Sequence, residues 1–536
     1  DFKNFVARAH ELGMKMILDV TPNHTSSSHP FVLDARVFRE NSRYWSYYQH
    51  LFIPYSGPNL GNLQEAITSD GFVYYGPFSD ALLNYNWADI DAREYMLDVY
   101  RWWIKEIGVD GYRFDVYWGP HVRANSPNGG EGEMGIPMRQ LLKHIKPDIY
   151  LLGEAAGVGV GTQVLYADNS GGVESAYDWN LKDLIQNGQT FWSLSAGDRV
   201  SRLDQRLRNY SSSSGMGYLP GRNSYFMRFL ENHDEDRVMY AFGQGVDSAT
   251  AMRRTMPVSA VVNLAVGMPM VYSGQEVGRG YGISDFDQRR RGVIDWNSGF
   301  ASTLMPHYQK LAQIRKQFAA FTTQKMVRAQ SSVPGVYAYT RPSAGMNGIV
   351  VANLDAISDT ATITLTSTGS VPGIEGVADG VEYIATDLYN GNATRQVVFN
   401  SGLASMTVNL PAYGSAVFVL DTVAHTLDLP LLTNVGKGSR ETTPTAVTLY
   451  QNYPNPFNPS TQIRYELSSQ AFVSLEVYDV LGRKVRSLVN GLQLSGAYVV
   501  SWDGKNDSGV PLSSGVYFCR LVANSRNYTR KMLFLR

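Results

Sequence analysis

From the start of the chain to about residue 322, short apolar runs alternate with longer stretches of helical periodicity. The runs at 14–20, 110–116, 150–154, 175–179, 225–231 and 268–272 read as buried strands. Between them, 92–107, 250–266 and 303–318 space their apolar residues three and four apart, as helices do. Strand–helix alternation of this kind predicts an α/β fold with a parallel sheet. Phe2, Phe5, Val6, Ala9 and Leu12 mark one face of a helix already under way, and no initiator Met precedes it. The pattern predicts a (β/α)8 TIM barrel lacking its first two strands, spanning residues 1–322. The chain is therefore expected to begin inside a longer product, so the missing signal peptide carries no information.

One connection breaks the rhythm. Residues 21–89 separate the first strand from its helix and are dense in aromatic rings, among them Tyr47, Tyr48, Tyr55, Tyr85 and Trp87. A structureless loop that long is not expected, so an inserted subdomain is predicted, with most rings in its own core. Over 323–422 a period of two replaces the helical one, at 336–340, 348–354, 360–366 and 416–420, predicting an antiparallel β-domain. A linker rich in Thr, Leu and Pro covers 423–446. Residues 447–536 alternate again, with turns at Asp503-Gly504 and Asn506-Asp507, and predict a β-sandwich.

Composition narrows the function. A net charge of −1 over 536 residues removes any general electrostatic case for a nucleic-acid or membrane-surface partner. No apolar run is long enough to span a bilayer as a helix. The single cysteine, Cys519, excludes an internal disulfide and a cysteine-built metal site.

The candidate chemistry lies at strand ends. Asp115 ends Gly111-Tyr112-Arg113-Phe114-Asp115, Glu154 ends Leu151-Leu152-Gly153-Glu154, and Asp234 closes Phe229-Leu230-Glu231-Asn232-His233-Asp234. The first strand runs into Asp19-Val20-Thr21-Pro22-Asn23-His24. In a βα barrel such positions share the face on which active sites are built. Cleavage of a glycosidic bond needs two flanking carboxyl groups. Each acid alone reads as a helix cap or a solvated charge; the ordered set does not.

With these four segments in this order, the sequence resembles the α-amylase family of glycoside hydrolases over about residues 1–420. The segments 266–276 (VGMPMVYSGQE) and 291–296 (RGVIDW) are similar to the family's last strand and the stretch after it. The resemblance implies Asp115 as nucleophile, Glu154 as acid and then base, and Asp234 as the carboxylate that stabilises the distorted sugar. It implies Arg113 as the residue that keeps Asp115 ionised, His24 and His233 as sugar ligands, and Asp19 as support for Arg113. Two departures matter. Trp118 and Gly119 stand where many relatives have Lys-His, so leaving-group recognition is expected to differ. Asn23 matches a position that binds Ca²⁺ in many members, but Leu82 stands where an acid is expected. The family's usual calcium site is accordingly not expected to be complete; no organic cofactor is implied.

The final block carries Gln451-Asn452-Tyr453-Pro454-Asn455-Pro456-Phe457, then Tyr478-Asp479-Val480-Leu481-Gly482-Arg483 and a basic C-terminus. It resembles the sorting domain of the bacterial type IX secretion system, which implies that machinery as a partner and an extracellular or cell-surface location. The other reading is a starch-binding module, disfavoured because no aromatic cluster is evident there. The expected activity is retaining hydrolysis of α-1,4 bonds in starch-like glucans or maltooligosaccharides. An α-glucanotransferase with the same intermediate, and a non-catalytic carbohydrate-binding surface protein, are the alternatives.

Overall fold

The computed structural model describes residues 2–48, 64–67, 73–76, 82–117, 134–154, 172–208, 225–429, 447–452, 455–493, 496–523 and 526–535. Trp118, Gly119 and Tyr55 lie outside these residues, as does most of the 423–446 linker. Two compact units are present, 1–429 and 430–536.

In the first unit, six parallel strands form one sheet in chain order: Ile17–Val20, Gly111–Phe114, Tyr150–Gly153, Ser175–Tyr177, Phe226–Arg228 and Met268–Pro269. Their register sets Asp19 beside Arg113 and Phe114 beside Gly153. Side chains alternate along a strand, so Tyr112 and Phe114 share one face and Arg113 takes the other. Tyr112 turns toward the helix Ile90–Trp102, where its hydroxyl donates to the Tyr100 carbonyl (2.6 Å). Asp89 caps that helix by accepting from Ala92 N at 2.8 Å. Close strand packing explains two glycines. A Cβ on Gly111 would lie 2.3 Å from the Tyr150 carbonyl oxygen, and one on Gly153 would lie 2.8 Å from the Tyr117 ring.

Among the described residues of the segment after the first strand, the rings pack into the barrel's apolar cluster. His24–Ser26 pairs antiparallel with Leu82–Asn84, and Tyr47, Tyr48, Tyr85 and Trp87 are buried together with Leu97, Tyr100 and Phe114. These four rings thus belong to the same apolar cluster as the barrel helix and strand, not to a separate core. Polar tips are satisfied locally, with Trp87 Nε1 donating to the Pro22 carbonyl (2.8 Å) and Tyr85 OH to that of Ala92 (2.7 Å).

The antiparallel domain has a six-stranded and a three-stranded sheet. Val336–Arg341 and Asn347–Asn353 are buried at every position. One face, with Val336, Ala338, Ile349 and Val351, packs on the smaller sheet. The other, with Tyr337, Tyr339, Val350 and Ala352, belongs to the core that contains Val258, Val261 and Val262 of the helix Ser248–Leu264. Tyr339 OH donates to the Val261 carbonyl (2.8 Å) and Arg341 Nη1 to that of Leu264 (2.6 Å).

The second unit is a sandwich of a three-stranded and a four-stranded sheet, with Cys519 buried and free. Phe457, Trp502, Tyr517 and Phe534 form an aromatic cluster that the sequence pattern does not reveal. All four are buried, so the cluster is this unit's core and not a platform for sugar. Among the described residues, no helix is long and apolar enough to cross a membrane.

Candidate active site

The ends of the first three strands converge on one guanidinium. Arg113 Nη1 donates to Asp19 Oδ1 at 2.8 Å and to Asp115 Oδ1 at 2.5 Å, while Nη2 lies 3.0 Å from Glu154 Oε2. The last contact is an ion pair without the alignment of a hydrogen bond. Arg113 Nε donates to the Tyr177 hydroxyl at 3.3 Å, and the charge sits 5.6 Å from that ring's centre. Burial alone would lower the Arg113 pKa, but Tyr177, Glu154 and Asp19 raise it above its ordinary value. The register of neighbouring strands brings these groups together, because Asp19, Arg113 and Leu152 are paired positions.

Glu154 is the perturbed carboxyl. It is 8% exposed. Burial raises its pKa from the ordinary 4.5 to about 7, against the opposing charge of Arg113 and a hydrogen bond from Val116 N. The Asp115 charge, and a hydrogen bond shared with Asp115, raise it further. The Val116 N–H donates to Glu154 Oε2 at 3.0 Å, and Val116 has φ of 48°. A β-branched residue seldom adopts that left-handed conformation, so backbone strain is stored next to Asp115. Burial lowers the His24 pKa below its ordinary value, against the opposing pull of the Asp115 charge.

Asp234 belongs to a separate, more open group. Its side chain is 43% exposed and is bound by Arg291 Nη2, with His233 Nε2 at 3.3 Å. Arg291 Nε also donates to the His233 carbonyl at 2.9 Å. Neighbouring Arg289 reaches Asp236 at 2.6 Å, so the short helix Phe286–Arg291 clips the turn after the fifth strand. Beneath it, buried Glu231 accepts from Arg237 Nη1 (2.8 Å) and Val238 N (2.6 Å). Three groups with direct site contacts are not singled out by the sequence motifs: Tyr177, the Val116 N–H and Arg291. Arg291 had a signal, since it opens the RGVIDW segment; Tyr177 had only its place on a strand.

Asn23 is 1% exposed, and its Nδ2 donates to Asn84 Oδ1 (3.4 Å) and His24 Nδ1 (3.3 Å). Its Oδ1 is buried without a hydrogen-bond partner. That oxygen alone could serve a cation, but calcium takes six to eight oxygens with carboxylates foremost. Among the described residues no group of three or more His, Cys, Asp or Glu could hold a metal. The described donors around Asn23, two side-chain amides and no carboxylate, do not by themselves make a calcium centre.

A parallel βα sheet that gathers carboxyl groups at its strand ends, with one of them, Glu154, raised to about 7 by burial, suits a glycoside hydrolase. The family model for the alpha amylase catalytic domain matches residues 1–302, more than half of the 536-residue chain. The chain belongs to the α-amylase family and is an enzyme of that class. It is 27% identical over 393 residues to alpha-amylase 3 of Dictyoglomus thermophilum, covering 67% of this chain and 72% of that protein. Identity to a trehalose-6-phosphate hydrolase of Bacillus subtilis is 22% over 437 residues, covering 66% and 76%. To a cyclomaltodextrinase of Geobacillus thermopakistaniensis it is 23% over 422 residues, covering 78% and 62%. An Anoxybacillus α-amylase structure shares the fold, with a TM-score of 0.55 at 18% identity over 79% of this chain and 80% of that one. A model described as the FlgD Ig-like domain matches residues 457–527.

Proposed function

We propose that the enzyme hydrolyses α-1,4-glucosidic bonds of starch-like glucans or maltooligosaccharides by double displacement, with retention. The observation that carries this reading is the convergence of Asp115 and Glu154 on one guanidinium, with Arg113 Nη1 2.5 Å from Asp115 Oδ1 and Nη2 3.0 Å from Glu154 Oε2. Retaining enzymes hold their two carboxyl groups about 5–5.5 Å apart, whereas inverting ones leave room for a water at about 6.5–9.5 Å. Two carboxyl groups clamped by the same guanidinium suit the former.

In the first step the Asp115 carboxylate attacks the anomeric carbon while Glu154 gives its proton to the departing glycosidic oxygen. One C–O bond breaks and an ester to Asp115 forms. In the second step the Glu154 carboxylate takes a proton from water, whose oxygen attacks the same carbon and releases Asp115. Arg113, donating to Asp115 Oδ1, keeps that carboxylate in position throughout. Asp234 stabilises the positive charge that develops on the ring, and His24 and His233 bind its hydroxyls. No step uses calcium. Proton NMR of maltoheptaose cleavage tests this: α-anomer should appear first, and initial β-anomer would exclude retention. Products longer than the substrate would favour transfer over hydrolysis, and equal cleavage of an α-1,6 trisaccharide would remove the linkage assignment.

The sandwich unit is proposed to be a type IX sorting domain that directs export to the cell surface. Support comes from the order of the 451–457 and 478–483 motifs and the basic terminus. Deleting residues 447–536 should abolish export; unchanged export would refute it.

A further inference from the structure

The orientation of Arg113 decides what each carboxylate around it receives. Its Nη1 donates to Asp19 and Asp115, and its Nε donates to the Tyr177 hydroxyl at 3.3 Å. A planar fork held at both nitrogens cannot turn without breaking one of these bonds. Tyr177 reaches it from a strand that is not its neighbour, since Tyr150–Gly153 runs between the two. In a βα barrel the inward side chains of alternate strands share a layer, which brings the tyrosine within reach of the arginine.

The tyrosine ring is itself held in place. Tyr177 is buried and packs in a small apolar cluster with Leu152, Met227 and Phe229. Its ring centre lies 5.3 Å from that of Phe229 and 5.9 Å from that of Trp179. Burial raises the Tyr177 pKa above its ordinary value, so the hydroxyl keeps its proton and offers Nε a lone pair. A phenylalanine would fill the same space. Only the hydroxyl adds the contact with Arg113.

That tether bears on Glu154. Arg113 Nη2 lies 3.0 Å from Glu154 Oε2 and yet makes no hydrogen bond among the described residues. The same carboxylate oxygen accepts from the Val116 N–H instead. A hydrogen bond from a cation favours the charged form of a carboxyl group, so a guanidinium turned into line would hold Glu154 ionised. The other groups facing Glu154 are the Asp115 carboxylate, which opposes ionisation, and the Val116 N–H, which favours it. Asp19 borders the same guanidinium, and His24 lies by Asp115. We propose that Tyr177 is a positioning residue, whose hydroxyl holds Arg113 where it clamps Asp115 but withholds an aligned hydrogen bond from Glu154, leaving that carboxyl able to carry a proton. The proposal rests on the reading of Glu154 as the acid given above.

Tyr177→Phe in the full chain keeps the ring and removes only the hydroxyl. With maltoheptaose as substrate, the alkaline limb of kcat/KM should move down by about one pH unit as Arg113 swings onto Glu154. The variant should then lose about tenfold at about pH 8.5 and match the wild type near about pH 5, where both acids are protonated. A tyrosine that served packing alone would lower the rate equally at every pH and leave the limb in place. Carbon NMR of carboxyl-labelled glutamate, with Glu154→Gln identifying the signal, reads the same group without turnover. Its titration should shift downward in Tyr177→Phe, and a Glu154 signal that titrates at the wild-type pH or higher overturns the proposal whatever the rates do. If Glu154→Gln keeps the alkaline limb, the reading of Glu154 as the acid fails instead. The role of Tyr177 then stands if the NMR titration still shifts downward, and falls if it does not.

Discussion

The two halves of the proposed catalytic site handle their carboxylates in opposite ways. At the first three strands, Asp115 and Glu154 converge on one nearly buried arginine, whose side chain is only 7% exposed. At the turn after the fifth strand, Asp234 meets Arg291 in the open, with side chains 43% and 57% exposed. Burial makes the first half a place where protonation is tuned, because removing water penalises a carboxylate and strengthens every charge nearby. Exposure leaves the second half a site of adaptable charge, where an ion pair contributes little and is easily exchanged for sugar hydroxyls.

Substitutions should separate the halves by size of effect. Asp115→Asn removes the proposed nucleophile and should lower kcat by on the order of 10⁴-fold or more in maltoheptaose assays, with the circular dichroism spectrum retained. Glu154→Gln should cost about 10²–10⁴-fold. The wild-type protein needs Glu154 protonated, so kcat/KM should fall as pH rises through about 7, and the variant should lose that limb. Asp234→Asn should cost about 10²–10³-fold, since it removes charge stabilisation without touching proton transfer. Arg291→Gln should stay within about tenfold, as expected for an exposed pair. An effect as large as that of Asp234→Asn would mean that the open half is as tightly organised as the buried one.

A stability measurement sharpens the same contrast. The folded-state pKa of Glu154 lies above its unfolded value, so its contribution is fully present below about 4.5 and is lost as pH rises through about 7. Thermal melts should therefore show Glu154→Gln gaining on wild type between those pH values, and Arg291→Gln showing no such trend.

Much of the buried half was legible because it is made by strands. The positions Asp19, Arg113, Asp115 and Glu154 end short apolar runs, and parallel register does the rest. The left-handed turn at Val116 was not legible, since nothing about a valine announces positive φ. Arg291 reaches Asp234 across 57 residues, a contact that depends on how one helix docks. Val336–Arg341 was readable as a strand from its period of two, but that alternation points to one covered face, whereas here both faces are buried.

That doubly covered sheet has a practical consequence. Severing the chain near residue 322, where composition suggests a boundary, would strip Tyr337, Tyr339, Val350 and Ala352 from their partners on the helix Ser248–Leu264. Both fragments would expose sticky apolar surface, so neither is a sound choice for expression. A cut at the 429/430 boundary spares that interface. The barrel and its antiparallel partner should then melt in one cooperative transition, as a single thermodynamic object.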